Sequence, residues 1–185
     1  MKPLNMLLAG VGGQGILFAS KIFFEAALAK GLKVRGAETH GMSQRGGSVV
    51  SHVKLGDQMS SMVIPGTADV LIALERTEGL RNLMFLRPGG IYLVNAPGDD
   101  CMPDRARTFL ADVGARVHHF DADARAVAAG NPLTANLYMI GYLAALEEVP
   151  FDLAELRVVV DRISKPASLE DNLQALRVGF EAAAD

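Results

Sequence analysis

The residues best suited to chemistry are Glu38-Thr39-His40-Gly41-Met42-Ser43-Gln44-Arg45-Gly46-Gly47. Arg45 beside Gly46 and Gly47 offers a forked cation next to exposed backbone N–H groups, a combination suited to a phosphate or carboxylate. Ser43 and Gln44 add neutral donors, and His40 can donate, accept or exchange a proton. A core segment would carry more apolar residues, and a flexible linker would not gather so many donors. The stretch predicts a shaped loop presented to an anion or to a partner surface. In the alternative, Arg45 pairs with a nearby carboxylate such as Glu38 and only pins the loop.

A second cluster lies upstream, Gly10-Val11-Gly12-Gly13-Gln14-Gly15. Gly10, Gly12 and Gly15 meet the G-x-G-x-x-G spacing between a predicted strand and a predicted helix. There, glycines let the backbone approach a ligand, and a helix N-terminus offers free N–H groups and a positive dipole end. Pyrophosphate is the natural guest. The plainer reading is that these glycines only let the first strand and helix pack closely. A dinucleotide site also wants an acidic residue at the end of the second strand. Glu38 lies near that place, but a polar loop follows it where a crossover helix belongs.

Other candidates carry less. His118 and His119 fall on a predicted strand and point to opposite faces, so they cannot share a ligand; with His40 and His52 they form no metal or triad pattern. No serine sits in a nucleophile elbow, so no catalytic residue is assigned. Asn131 reads as a cap or turn residue and Asn136 as structural. Met42, Met59, Met62, Met84 and Met139 read as fillers of core or interface. Cys101 reads as inert.

These loops must be held by regular elements. Residues 4–9 predict a buried strand, residues 14–30 a helix closed by Gly31, and residues 33–37 a second strand. Residues 48–55 and 58–64 predict an inserted β-hairpin where a crossover helix is normal. Residues 69–74 and 91–94 read as buried strands, residues 76–86 as a helix ended by Pro88-Gly89-Gly90, and residues 103–114 as another helix. Residues 116–120 predict a strand, and Asp121 caps a short helix ending near Gly130. Residues 133–146 predict a buried helix, with Gly141 allowing close approach. Asp152 and Ser168 start two capped C-terminal helices, the last with an apolar stripe of Leu169, Leu173, Leu176 and Phe180. This alternation predicts one α/β domain over residues 1–185, with a mostly parallel sheet flanked by helices and the hairpin inserted after the second strand.

Composition narrows the function. A chain of 185 residues buries roughly 70% of its unfolded surface as one domain. The net charge of −3 argues against broad nucleic-acid binding. The apolar run after the N-terminus is too short for a signal peptide or membrane span, which predicts a soluble, cytoplasmic protein. A single cysteine cannot hold an iron–sulfur cluster, a cysteine-rich zinc site or an internal disulfide. The mean hydropathy of +0.22 leans toward apolar surface awaiting a partner.

Taken together, the glycine cluster, the loop over residues 38–47 and Ser51-His52-Val53 resemble the gamma-type subunit of the 2-oxoacid:ferredoxin oxidoreductases, and within it the indolepyruvate branch. Asn131-Pro132, Asn136-Leu137 and Asn172-Leu173 fit the same likeness, so it covers most of the chain. The resemblance implies a Rossmann-like, non-autonomous subunit of a thiamine-diphosphate enzyme. That enzyme decarboxylates a 2-oxo acid such as an indole- or arylpyruvate, forms an acyl-coenzyme A and reduces ferredoxin. Thiamine diphosphate, magnesium and iron–sulfur clusters would sit on a larger partner subunit. This chain would hold none of them and would shape the substrate and coenzyme A side of the active site. Carried over, Gly12, Gly13, Gln14 and Gly15 would form the phosphate-type loop. His40, Ser43, Gln44, Arg45, Gly46 and Gly47 would face the partner's active site, with contact to coenzyme A. Two other readings stay open: a free-standing NAD-type dinucleotide-binding protein, and a purely structural assembly subunit. Without its partner, the chain is expected to self-associate as a homodimer.

Overall fold

Apolar runs that alternate between two buried faces set the architecture. The computed structural model describes residues 2–41 and 46–183. In chain order its elements are β1 (Leu4–Val11), α1 (Ile16–Ala29), β2 (Val34–His40), β3 (Ser48–Leu55), β4 (Ala68–Ala73), α2 (Arg76–Asn82), β5 (Leu86–Val94), α3 (Asp104–Asp112), β6 (Arg116–His119), α4 (Ala122–Ala128), α5 (Ala135–Ala145), α6 (Leu153–Ile163) and α7 (Leu169–Glu181). The strands form one sheet in the order β2-β3-β1-β4-β5-β6. The pairs β1–β4, β4–β5 and β5–β6 are parallel, whereas β3 runs antiparallel to both β2 and β1.

Successive residues of β1 serve opposite layers. Met6 and Leu8 join Phe23, Ile72 and Met139 in one apolar core, while Leu7 and Ala9 join Leu71, Ala73 and Tyr92 in the other. A strand covered on both faces needs such a continuous apolar run. The expected α/β class, with its largely parallel sheet and inserted hairpin, matches this architecture.

The hairpin is built from different strands than expected. Residues 58–64 form no strand. β3 pairs instead with β2, Ala37 opposite His52, and with β1, Leu8 opposite Ser51. The physical reason lies in β3, where Val49, Val50, Val53 and Leu55 are all buried, so it belongs inside the sheet rather than at a hairpin's edge. Residues 58–64 lie over its open face. The Val63 N–H donates to His52 Nδ1 at 3.1 Å, and the Lys54 ammonium donates to the Met62 carbonyl at 3.3 Å.

Three smaller expectations also shift. Pro88-Gly89-Gly90 lies inside β5 rather than before it. A break in register absorbs it: Ala68 pairs with Leu86, but Val70 pairs with Ile91. The helix expected over residues 76–86 ends at Asn82 and tightens into a 3₁₀ turn, Leu83–Phe85. Asp152 and Glu155 form the full capping box of α6, but the Ser168 hydroxyl donates to the Lys165 carbonyl and does not cap α7.

Helix α7 turns its Asn172, Ala175, Leu176 and Gly179 face inward, rotated from the expected leucine stripe. Its crossing with α5 explains why. A Cβ on Gly141 would collide with the Leu176 carbonyl, and one on Gly179 with the Tyr138 carbonyl. The two backbones touch where each helix has a glycine, and that contact fixes which face is buried.

Candidate functional site

The site lies at the C-terminal ends of β1 and β4, where the chain turns from β1 into α1. Gly15 is the N-cap of α1 in the left-handed region, at φ 71°, and its carbonyl receives the first helical bond, from the Ala19 N–H at 2.9 Å. The N–H groups of Ile16, Leu17 and Phe18 therefore lack an acceptor within the helix and point out of its N-terminus. Asn136 of α5 closes the loop from the other side, donating to the Gly15 carbonyl at 3.2 Å. It is the structural residue the sequence suggests.

Gln14 directs its amide to the backbone. Its Oε1 accepts the Val11 N–H at 2.9 Å, and its Nε2 donates to the Leu74 carbonyl at 3.1 Å. The side chain thus spans the crevice between the ends of β1 and β4. Gly10 is buried within β1, and a Cβ there would press on Gln14 and Ile16. Both residues serve the packing of the loop.

The remaining glycines meet the hairpin around a cavity of about 620 Å³. Gly12, Gly13 and Gly15 bound one side, His40, Gly41 and Gly47 the other, and Leu17, Phe18 and Val49 supply apolar wall. The Gly12 N–H donates to the Gly47 carbonyl at 2.9 Å, tying the two loops, and the Gly41 N–H donates to the Ser48 carbonyl at 2.8 Å, closing the hairpin stem. Gly46 lies just outside, its nitrogen 3.6 Å from where a Gly12 Cβ would stand. His40 is half-exposed with Nε2 3.7 Å from the Glu38 carboxylate. Met42, Ser43, Gln44 and Arg45 lie outside the described residues, and so does the alternative Arg45–Glu38 pair. A mixed lining of open backbone N–H groups and apolar side chains suits a ligand with an anionic group on a flexible, largely apolar arm.

The sheet order removes the acid that a dinucleotide site requires. In such a site the acidic residue ends the strand beside β1. Here β3 occupies that place, and Glu38 lies one strand farther out on the edge strand β2, opposite Ser51 in register.

The histidines go separate ways, as expected. His118 Nδ1 lies 3.4 Å from the Tyr142 hydroxyl, and His119 Nε2 lies 3.5 Å from Asp99. His52 is buried and accepts the Val63 N–H, and burial followed by the Lys54 charge lowers its pKa. Among the described residues no group of three or more histidine, cysteine or acidic side chains could hold a metal ion. No helix among them is long and apolar enough to cross a membrane. Met59 is fully exposed and Met62 and Met84 are about half-exposed, so these fill no core; Met139 does.

One group escaped the sequence reading. Glu78 on α2 is only 3% exposed, receives the Ser48 hydroxyl at 2.7 Å and pairs with Arg81. Glu75 caps the same helix, accepting the Glu78 N–H at 2.7 Å. Although burial pushes the Glu75 pKa up, backbone N–H groups of Thr77 and Glu78 hold it below the usual value. The three-residue spacing of Glu75, Glu78 and Arg81 after a buried strand was the available signal.

Residues 5–182 match the family described as pyruvate ferredoxin/flavodoxin oxidoreductase. The indolepyruvate oxidoreductase subunit IorB of Thermococcus kodakarensis is 35% identical over 196 aligned residues, covering 99% of this chain and 97% of that protein. Among solved structures, the gamma subunit of a keto/oxoacid ferredoxin oxidoreductase from Geobacter sulfurreducens superimposes with a TM-score of 0.79 at 25% identity, covering 98% of each chain. The 2-oxoglutarate:ferredoxin oxidoreductase of Magnetococcus marinus, solved with 2-oxoglutarate, coenzyme A and succinyl-CoA bound, has the same fold within a longer chain. Its TM-score is 0.80 at 22% identity, covering all of this chain and 31% of that one.

Proposed function

Because the chain belongs to the pyruvate ferredoxin/flavodoxin oxidoreductase family, as its gamma-type subunit, we propose that it shapes the coenzyme A side of the active site in a cytoplasmic 2-oxoacid ferredoxin oxidoreductase of the indolepyruvate type. The cavity between the glycine loop and the hairpin carries this reading. Its open N–H groups suit a phosphate and its apolar wall suits the pantetheine arm. The assembled enzyme would decarboxylate an arylpyruvate, transfer the acyl group to coenzyme A and pass the electrons to ferredoxin.

The redox and decarboxylation chemistry belongs to a larger partner. An iron–sulfur cluster takes cysteine ligands, and this chain has one cysteine. Thiamine diphosphate and magnesium would likewise be held by the partner. No step is therefore assigned to a cofactor on this chain.

A Gly12→Asp substitution tests the reading in the assembled complex. The position has room, with the nearest atom to a Cβ at 3.6 Å, and it would set a carboxylate at the cavity mouth. The expected result is a KM for coenzyme A raised about tenfold or more, by loss of roughly 1.4 kcal/mol of binding. An unchanged KM in an intact complex would sink the proposal.

The assembly reading has one observation in its favour, the exposed Met59, Met62, Ile64 and Met84 at the end of the molecule away from the cavity. It predicts that Gly12→Asp leaves turnover untouched. The same surface would drive homodimer formation by the isolated chain. The NAD reading has lost its acid to the sheet order, and Gln14 occupies its crevice.

A further inference from the structure

A buried carboxylate needs a reason, because withdrawing it from water costs several kcal/mol unless its partners are well placed. Glu78 is the only acidic side chain among the buried described residues. It does not line the cavity, but its hydrogen-bond partner Ser48 does. One carboxylate oxygen receives the Ser48 hydroxyl at 2.7 Å and the other pairs with Arg81.

Ser48 is a joint. It is the first residue of β3, in register with Val11 at the end of β1, and its carbonyl accepts the Gly41 N–H that closes the hairpin stem. The preceding residue, Gly47, accepts the Gly12 N–H at 2.9 Å. Gly12, Gly41, Gly47 and Ser48 all line the cavity. Two hydrogen bonds, Glu78–Ser48 and Gly47–Gly12, joined by the Gly47–Ser48 peptide link, therefore connect Glu78 to the glycine loop.

The base of that path is rigid. Glu75 caps α2 next to Glu78, and Asn82 donates to the Glu78 carbonyl at 2.8 Å. One residue on, Gly79 lets α2 lie directly on Ala73 and Tyr92, where any Cβ would collide. Glu78 is thus fixed to the sheet, whereas the hairpin it reaches, β2 and β3, forms the sheet's outer edge beyond β1.

Resting on the coenzyme A reading above, we infer that Glu78 is a positioning residue for that site: acting through Ser48, it sets the distance between Gly47 and Gly12 and so the width of the cavity that receives the ligand. It touches no ligand itself. Its carboxylate is retained because one oxygen must accept from Ser48 while the other holds Arg81.

The test is steady-state kinetics of the assembled oxidoreductase, with coenzyme A as the varied substrate, on Glu78→Ala, Ser48→Ala, their double variant and Glu78→Gln. Loss of one positioning hydrogen bond is expected to raise the KM for coenzyme A about five- to tenfold, with kcat within about twofold. The double variant should be no worse than the worse single, since both cut one path. Glu78→Gln, which keeps an acceptor for Ser48, should recover most of the wild-type KM. Ser48→Ala removes only a hydroxyl, so it keeps the test informative if Glu78→Ala fails to assemble. A KM unchanged within twofold in intact Ser48→Ala and Glu78→Ala complexes, with melting temperature alone lowered, would overturn the inference and leave Glu78 purely structural. If Gly12→Asp raises KM while these variants do not, only this inference fails. If Gly12→Asp is also silent, the coenzyme A reading fails with it.

Discussion

Asn136 on α5 donates its side-chain amide to the carbonyl oxygen of Gly15 at 3.2 Å, across 121 positions of sequence. Its own Oδ1 accepts the Leu137 N–H at 2.8 Å. This one side chain joins the helical layer to the turn that starts α1, so the glycine loop is held from behind by a residue far from it in the chain.

Truncating that side chain removes one of the two hydrogen bonds the Gly15 carbonyl accepts, the other coming from the Ala19 N–H, and takes away the acceptor of the Leu137 N–H. Asn136→Ala is expected to destabilise the chain by about 1–3 kcal/mol, measured by urea unfolding of the isolated protein. Gly15→Ala should cost a similar amount by a different route. It forces a Cβ into the Asn136 amide and strains a φ of 71°. The two losses should add to less than their sum, because both damage one contact. Two independent, fully additive losses would mean the contact is not what holds the loop.

The contact between α5 and α7 supports the same layer and has less tolerance. Gly141 meets the Leu176 carbonyl and Gly179 meets the Tyr138 carbonyl, so neither position has room for a methyl group. Gly141→Ala and Gly179→Ala should each destabilise by at least about 2 kcal/mol, despite the better helix propensity of alanine. Thermal unfolding decides the matter. A variant as stable as wild type would show that the helices can separate without loss.

How much of this was legible in the sequence follows from the range of the interactions. The buried strands, α1 and the capping box of α6 were readable because each rests on residues within a few positions. The partner of β3 was not, since it depends on which strand lies opposite after the chain has crossed the sheet; β3 and residues 58–64 are adjacent in sequence, and that proximity misled. Gly12, Gly13, Gly15, His40 and Gly47 do meet around one cavity. The partners of Gln14 were not legible, because an amide in a glycine loop looks the same in sequence whether it faces a ligand or Leu74. The spacing of Glu75, Glu78 and Arg81 marks a charged cluster on α2, but the tie from Glu78 to Ser48 was not legible, because Ser48 comes from another element.

Stability should fall on acidification through two histidines. Burial, then the Lys54 charge, lowers the pKa of His52; burial and the Arg116 charge lower that of His118, with Glu148 opposing and His119 adding. The unfolded chain titrates its imidazoles near 6.5. As pH drops below that value the unfolded state takes up protons first, and the folded state loses stability until its own lower pKa values are passed. Above 6.5 these groups contribute no slope. The expected slope is at most about 1.4 kcal/mol per pH unit for each histidine. Urea unfolding between pH 7.5 and 5 measures it, and His52→Gln should remove its share. A flat profile in that window would show that neither imidazole resists protonation.

The exposed apolar residues at the end opposite the cavity give the last prediction. The Gly66 N–H donates to the Met84 carbonyl at 2.9 Å, which brings the start of α2's following turn against the segment carrying Met62 and Ile64. Large apolar side chains gathered on a surface favour association over solvation. Replacing Met62, Ile64 and Met84 together with serine touches no described hydrogen bond made by their side chains. It should change the stability of the isolated chain by less than about 1 kcal/mol, yet shift its sedimentation toward monomer. In the assembled enzyme the same variant should weaken retention of the partner only if this end forms part of their interface. A triple variant that still self-associates as wild type does would move the interface elsewhere, with the exposed edge strand β2 the next surface to test.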